Sequence, residues 1–380
     1  MDNALVCELL TKRWPIRANA YDQWRFCLSW VTSKNIALPS VLTFPSDVQN
    51  IDDAHLACFN SSSKLHCIVK IEIDYQNYEG PTAAGLKAVE RCSRLNSFIL
   101  IGSHAPYIFE DLGRMQWQCL KTLECIDLRY CRVCPDCISV MSMQCPALKE
   151  LSICLMYMRF IDEAADIADA EETMKRLSTI QGLEILFIDF AQIISATGLS
   201  YLKSSTNLSS IDINYTRHGD AFLKAVADMP SIRKISLYGI DSISATGFEP
   251  FRGGKLTELD IIECNITDEN VSSLAGMTNL RCLSLAGRNI TDAGLVHLSQ
   301  LPLIKLGLYT DLITDAGLDR LHSFPQLKEV EMDCLDLITE QGVGRFFEAC
   351  NNIQKFYCSG ELLSHEYIKS LEVRALSRRL

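Results

Sequence analysis

The sequence has no apolar run long enough to cross a membrane. A membrane-spanning helix needs about 20 consecutive apolar residues, and no stretch of the chain approaches that length. The N-terminal segment MDNALVCELLTKRWP also lacks the long apolar stretch of a secretory signal, and it carries Asp2 and Glu8. From these absences we expect no contact with a membrane and a cytoplasmic location, with the nucleus as an alternative.

Basic residues are outnumbered by acidic ones. The chain has 36 Lys and Arg against 47 Asp and Glu, which gives a formal net charge of −11 at pH 7. A nucleic-acid-binding surface depends on clustered Lys and Arg, so the composition argues against nucleic acid as a partner. An acidic protein is suited to a protein partner that carries a basic patch, and we predict a partner of that kind.

The motifs of common catalytic sites are missing as well. The sequence contains no G-x-S-x-G, no H-E-x-x-H and no phosphate-binding loop of the P-loop type. The seven histidines are scattered, and His297 and His322 flank equivalent leucines on opposite sides. We therefore predict that the chain is not an enzyme and that it binds no cofactor and no small-molecule substrate.

Cysteine, in contrast, is abundant, with 17 residues. An odd number without a secretory signal predicts free thiols in a reducing compartment. The run Cys131-x-x-Cys134-x-x-Cys137, followed by Cys145, has the appearance of a zinc or iron–sulfur site. However, Cys131 and Cys145 occupy positions that recur along the chain, where a small buried residue fits. We predict no metal site, and metal binding by these four cysteines is the alternative.

Residues 280–330 contain the same pattern twice. Each copy has an L-x-x-L-x-L strand pattern and then the phrase I-T-D-A-G-L, at Ile290–Leu295 and again at Ile313–Leu318. A strand pattern of this type with a period of about 20–29 residues is typical of leucine-rich repeats. In the phrase, Thr or Asp is expected to cap a helix, Gly to relieve crowding where the chain bends, and Leu to enter the core.

Related strand patterns extend the repeat over most of the chain and predict an α/β leucine-rich repeat solenoid of about 13 repeats. Its parallel sheet would line the concave face of a horseshoe and its helices the convex face. We predict an N-terminal cap at 1–36, a solenoid at 37–358 with a long acidic helical insertion at about 155–182, and a C-terminal capping helix at 359–380, with Lys369, Arg378 and Arg379 facing water. The predicted strands begin near Val41, Ile71, Phe98, Leu123, Leu148, Leu183, Leu208, Ile232, Leu256, Leu280, Leu303, Leu327 and Ile353.

Outward-facing strand positions of these repeats are rich in carboxylates and aromatic residues. Because same-position residues of neighbouring parallel strands lie about 4.8 Å apart, they should form lateral rows. Such rows would attract a basic partner, and tyrosines are good interface anchors. The residues predicted to bind a protein partner are Asp127, Phe187, Asp189, Asp212, Asn214, Tyr215, Tyr238, Asp260 and Tyr309.

The segments Leu128–Cys131 and Cys145–Leu151 resemble the cysteine-containing subfamily of leucine-rich repeats. That subfamily is familiar from substrate-recognition subunits of F-box ubiquitin ligases, and residues 5–14 resemble the end of an F-box. The I-T-D-A-G-L copies are also similar to repeats of kinetoplastid and bacterial leucine-rich proteins. The resemblance implies a protein-binding adaptor, with recognition for a ubiquitin ligase as one role. A constitutive structural subunit of a large assembly is the alternative.

Overall fold

The computed structural model describes residues 28, 32–34, 38, 40–44, 53–75, 86–102, 121–133, 135–155, 163–240, 242–321, 324–333 and 336–378. The chain divides into two compact units, Met1–Asn207 and Leu208–Leu380. Of the predicted N-terminal cap at 1–36, only Leu28 and residues 32–34 belong to the described part.

Thirteen strands are described, and within each unit they pair in parallel in the order of the chain. The predicted α/β leucine-rich repeat solenoid of about 13 repeats is thereby confirmed. The first unit contains β1 Val41–Phe44, β2 Lys70–Tyr75, β3 Ser97–Gly102, β4 Cys125–Arg132, β5 Glu150–Cys154 and β6 Ile185–Asp189. The second contains β7 Ser210–Asn214, β8 Lys234–Tyr238, β9 Glu258–Ile262, β10 Cys282–Ala286, β11 Lys305–Tyr309, β12 Glu329–Asp333 and β13 Lys355–Cys358.

The strands form where buried and exposed residues alternate. In β10, Leu283 and Leu285 are fully buried, while Cys282 and Ser284 are partly exposed. The first leucine of the pattern, Leu280, is also fully buried but precedes the hydrogen-bonded strand. From β4 onward, every strand therefore begins two residues after the first apolar residue of its repeat.

Helices and 3-10 turns connect the strands, and no described helix is long and apolar enough to span a bilayer. The helices are α1 Asp53–Ala57, α2 Pro135–Gln144, α3 Glu163–Leu177, α4 Ala196–Ser200, α5 Gly219–Ala227, α6 Asp268–Leu274, α7 Asp292–Leu295, α8 Asp315–Arg320, α9 Glu340–Ala349 and α10 His365–Ser377. The 3-10 segments are Cys58–Ser61, Leu65–Cys67, Lys87–Arg91, Ala191–Ile193, Tyr201–Ser204, Glu249–Phe251 and Val296–Gln300.

The long acidic segment predicted at about 155–182 contains α3. This helix packs against α2 and α4, and it buries one apolar stripe formed by Ala170, Met174 and Leu177. Burial of that stripe holds α3 in the helical layer of the first unit, as expected for an amphipathic helix.

The I-T-D-A-G-L phrase joins each repeat to the next one. Thr314 starts α8, and its hydroxyl accepts a hydrogen bond from the Ala316 amide at 3.2 Å. The aspartate of the preceding repeat, Asp292, accepts hydrogen bonds from the Thr314 amide at 2.8 Å and from the Thr314 hydroxyl at 2.6 Å. Threonine thus caps its own helix, whereas the aspartate bonds to its neighbour. Four carboxylates are used in this way, and we call them the carboxylate ladder: Asp268, Asp292, Asp315 and Glu340. Each accepts hydrogen bonds from the amide and the hydroxyl of the residue that starts the next helix. Those residues are, in the same order, Thr291, Thr314, Thr339 and Ser364.

The glycine of the phrase makes room for the ladder. A Cβ on Gly317 would lie 2.8 Å from Asp292 Cγ, and the Oδ1 atom would be closer still. Gly294 and Gly342 stand in the same relation to Asp268 and Asp315. The expected relief of crowding by this glycine is therefore seen in these copies, and the crowding group is the carboxylate of the neighbouring repeat, which occupies the space of a side chain.

The C-terminal helix α10 is fastened to the repeat before it. Arg378 donates hydrogen bonds to the carbonyls of Phe347 at 3.3 Å and Cys350 at 3.1 Å, and its guanidinium lies 4.1 Å from the Phe347 ring centroid. Of the residues expected to face water, Lys369 does so, but the Arg378 side chain is only 20% exposed. Arg379 lies outside the described residues. The buried side chains of α10 are Ile368, Leu371 and Ala375.

Candidate functional site

The outward side-chain positions of β7–β13 form three lateral rows, which together we call the outer face of the second unit. Strand register sets the rows. The first row is Ser210, Lys234, Glu258, Cys282, Lys305, Glu329 and Lys355. The middle row is Asp212, Ser236, Asp260, Ser284, Gly307, Glu331 and Tyr357. The third row is Asn214, Tyr238, Ile262, Ala286, Tyr309 and Asp333.

Charges in the first row largely cancel each other. Lys234 Nζ lies 3.4 Å from a Glu258 carboxylate oxygen, and Lys355 forms an ion pair with Glu329. Lys234 also lies 3.9 Å from Asp260 Oδ2 in the middle row. The charged members of the middle row, in contrast, are all carboxylates, so the outer face is acidic along its centre.

Two tyrosines and a glutamate meet where β7, β8 and β9 end. The rings of Tyr215 and Tyr238 are nearly perpendicular, at 84°, with centroids 5.4 Å apart. A hydrogen bond to Glu263 raises the pKa of Tyr238 strongly, and burial and a hydrogen bond with Tyr215 add to the effect. These contacts fix the orientation of the Tyr215 and Tyr238 rings in the absence of a ligand.

The backbone just after these strands turns in a left-handed conformation. Phe190, Tyr215, Gly239 and Glu263 follow β6, β7, β8 and β9, and their φ angles are +52°, +57°, +63° and +51°. Such angles are uncommon outside glycine. At Gly239 a side chain is excluded for a second reason, because a Cβ would lie 2.6 Å from two atoms of the Tyr215 ring. The turn thus directs Tyr215 and Glu263 toward Tyr238.

Tyr309 forms a second tyrosine–carboxylate pair on β11. Its ring lies beside Gly307, where a Cβ would be 3.0 Å from Tyr309 Cε2 and 3.2 Å from Ser284 Oγ. Burial and a hydrogen bond to Glu331 raise the pKa of Tyr309 strongly, and the negative charges of Asp260 and Asp333 act in the same direction. This half-buried ring is therefore surrounded by acidic groups.

The predicted residues of the first unit are engaged by other residues of that unit. Arg129 Nε donates to both carboxylate oxygens of Asp127, at 3.1 and 3.0 Å, and its guanidinium lies 5.7 Å from the Phe187 ring centroid. Asp127 is 7% exposed because Arg129 covers it, and Asp189 is 3% exposed, with Oδ1 accepting from the Phe190 amide. These two aspartates therefore offer little surface to a partner.

Five of the nine predicted residues lie in the rows of the outer face of the second unit, namely Asp212, Asn214, Tyr238, Asp260 and Tyr309. A sixth, Tyr215, directly follows β7 and contacts the Tyr238 ring. Sequence reasoning did not include Glu263, Glu331 and Asp333 in the site. Glu263 follows its strand at the position that Tyr215 occupies after β7, and the other two occupy outward rows, so the repeat register was the signal that could have found them.

The cysteines in the described part of the chain are free thiols. Cys92, Cys145, Cys264 and Cys350 are buried, in agreement with their interpretation as small core residues, and Cys137 is buried as well. Cys134 and the side chain of Cys131 lie outside the described part. Within that part no group of three or more His, Cys, Asp or Glu residues is placed to hold a metal ion. The predicted lack of a metal site stays a prediction.

No protein-family model and no curated protein matches the chain. Among solved structures, an internalin from Listeria monocytogenes is similar to it, with a TM-score of 0.45 and 17% sequence identity over 81% of this chain and 86% of the internalin. TLR13, in a complex with ssRNA13, is similar with a TM-score of 0.41 and 13% identity. That match covers 88% of this chain but only 57% of TLR13.

Proposed function

We propose that the chain is a non-catalytic interaction module whose outer face binds the basic patch of a protein partner. The observation that carries the proposal is the acidic centre of that face. Asp212, Asp260 and Glu331 are half-exposed carboxylates, and the half-exposed rings of Tyr238 and Tyr309 lie in the neighbouring row.

Physical chemistry supports this use of the surface. Carboxylates in a row speed encounter with Lys and Arg side chains and suppress binding of acidic proteins. Tyrosine offers a large contact area and a hydroxyl at little entropic cost. Because hydrogen-bonded strands fix the backbone beneath these side chains, little ordering is needed on binding.

Charge reversal of the middle row tests the proposal. Affinity purification of the wild-type chain with mass spectrometry first identifies the partner. Capture of that partner by an Asp212→Lys/Asp260→Lys variant should then fall at least about tenfold, since like charges would face each other. Thermal stability should remain near that of the wild-type chain, because both aspartates are partly exposed.

A matched control carries the same change in net charge elsewhere. Glu269 on α6 and Asp311 after β11 are exposed and lie outside the three rows. The Glu269→Lys/Asp311→Lys variant should capture the partner as the wild-type chain does. Unchanged capture by the middle-row variant would overturn the proposal.

The resemblance of residues 128–151 to cysteine-containing repeats supports a narrower proposal, in which the partner is a substrate of a ubiquitin ligase. Co-purification of ligase subunits would support it, and capture of a partner without them would remove it. Elution of the native chain only within one large complex would instead support the constitutive-subunit alternative.

A further inference from the structure

Two tyrosines of the third row each have a carboxylate on or just after the neighbouring strand. Glu263 directly follows Ile262, the register partner of Tyr238, and Glu331 lies two residues before Asp333, the register partner of Tyr309. In each pair a half-exposed ring adjoins a negative charge. An aromatic ring attracts a cation, and a carboxylate forms a charge-assisted hydrogen bond with one. Each pair therefore has the two groups that hold a Lys ammonium or an Arg guanidinium.

The two pairs are separated by a short apolar interval. Tyr238 lies on β8 and Tyr309 on β11, in the same row, so three strand spacings give a separation of about 14 Å. Ile262 is the register partner of Tyr238, and Ala286 is that of Tyr309. No charge interrupts the third row between the two tyrosines.

An extended peptide matches this separation. A strand rises about 3.4 Å per residue and alternates its side chains, so residues i and i+4 face the same side about 14 Å apart. With cations above the two tyrosines, the side chain at i+2 would lie over Ile262 and Ala286. Those two residues favour an apolar or small side chain at that point.

We infer that the outer face binds an extended segment with two Lys or Arg residues four positions apart and an apolar residue midway between them. One cation sits on Tyr238 and Glu263, and the other on Tyr309 and Glu331. The inference rests on the proposed function and adds to it the conformation, charge spacing and anchoring residues of the bound segment.

Synthetic peptides of identical composition test the spacing. Each has two arginines with one valine between them in a Gly/Ser background, and the arginines are separated by two, four or six positions. Fluorescence anisotropy with the full chain should show the four-position peptide binding about three- to tenfold more tightly than the others, since only it reaches both ring sites.

Ring substitutions test the anchors. Tyr238→Leu and Tyr309→Leu keep apolar volume but remove the π face, and each should abolish the preference for four positions. Tyr238→Phe and Tyr309→Phe keep the ring and should retain that preference. Tyr201→Leu, in the 3-10 segment Tyr201–Ser204, should bind as the wild-type chain does.

The outcomes separate the inference from the proposed function. Equal affinity for the three peptides would overturn the inference, and so would a spacing preference that survives both Leu substitutions. If charge reversal of the middle row abolishes capture of the natural partner while no spacing preference exists, only the inference fails. If charge reversal leaves capture unchanged, the proposed function itself fails.

Discussion

At the scale of single residues, Tyr309 shows how the acidic face affects its own side chains. Burial and the hydrogen bond to Glu331 favour the neutral phenol, so the pKa of Tyr309 is higher in the folded chain than the usual value of about 10. A group with a raised folded pKa contributes stability that is fully present below its unfolded pKa. That stability is lost as the pH rises through the folded pKa.

We therefore expect the wild-type chain to lose more thermal stability than Tyr309→Phe between about pH 9.5 and 11, because the unfolded tyrosine releases its proton first. Melting curves followed by circular dichroism over this pH range measure the effect. Tyr201→Phe controls for the removal of a hydroxyl, and parallel pH profiles of wild type and Tyr309→Phe would contradict the prediction.

At the scale of elements, the carboxylate ladder determines how successive helices stack. The starts of α7, α8 and α9 each present a threonine amide and hydroxyl to the carboxylate of the preceding repeat. These bonds lie between repeats, whereas the threonine caps act within one repeat. Local propensity alone would favour Ala over Gly inside α8 by about 1 kcal/mol, so the glycine there must be maintained by the neighbouring carboxylate.

Gly317→Ala should consequently lower the free energy of unfolding by about 1–3 kcal/mol, because the added methyl group overlaps Asp292. In an Asp292→Ala background the same substitution should cost much less, since the overlapping atoms are gone. Chemical denaturation of the wild type, both single variants and the double variant measures the coupling, which we expect at about 0.5–3 kcal/mol. Asp311→Ala, which removes an exposed carboxylate next to α8, serves as the control. Additive effects of the two substitutions would show that the ladder does not constrain the glycine.

The sequence was sufficient to predict strand number and order because each repeat restates the same apolar spacing. From Leu123 onward, each predicted strand start lies two residues before the observed one. The apolar pattern reports which side chains are buried, and the first apolar residue of each repeat is buried although it precedes the hydrogen-bonded strand. The apolar pattern also could not predict why Gly317 is a glycine. Its cause is a contact with Asp292 in another repeat, and a repeat read in isolation does not contain that contact.

At the scale of the whole molecule, the candidate site was only partly predictable. Row membership followed from the register, so Asp212, Tyr238, Asp260 and Tyr309 were correctly placed on one face. The alternation of buried and exposed strand positions does not indicate which outward side chain is covered by a longer neighbouring side chain. Arg129 covers Asp127 in this way. Nor does alternation reveal left-handed turns, which bring Glu263 to Tyr238.

Thiol labelling should report the packing of both units in one experiment. Burial raises the pKa of Cys358 to about 12, and Cys145 and Cys264 are also buried. We expect these three thiols to react with iodoacetamide at least about a hundredfold more slowly than Cys58 and Cys67, which are half-buried, since reaction requires opening of the core. Mass spectrometry of peptides from timed reactions gives the rates, and reactions in denaturant provide the reference. Equal rates at all five thiols in the native chain would contradict the structure.

The carboxylate ladder also has a consequence for how such a chain can lengthen. The repeats that begin at Thr291 and Thr314 each carry a threonine and a glycine that accommodate the carboxylate of the preceding repeat, and an aspartate that bonds the threonine of the following repeat. A copied repeat therefore meets complementary groups on both sides and requires no compensating change in its neighbours. In evolutionary terms, unequal recombination between such copies preserves every junction, and the identical phrases at 290–295 and 313–318 are what a duplication of this kind would leave.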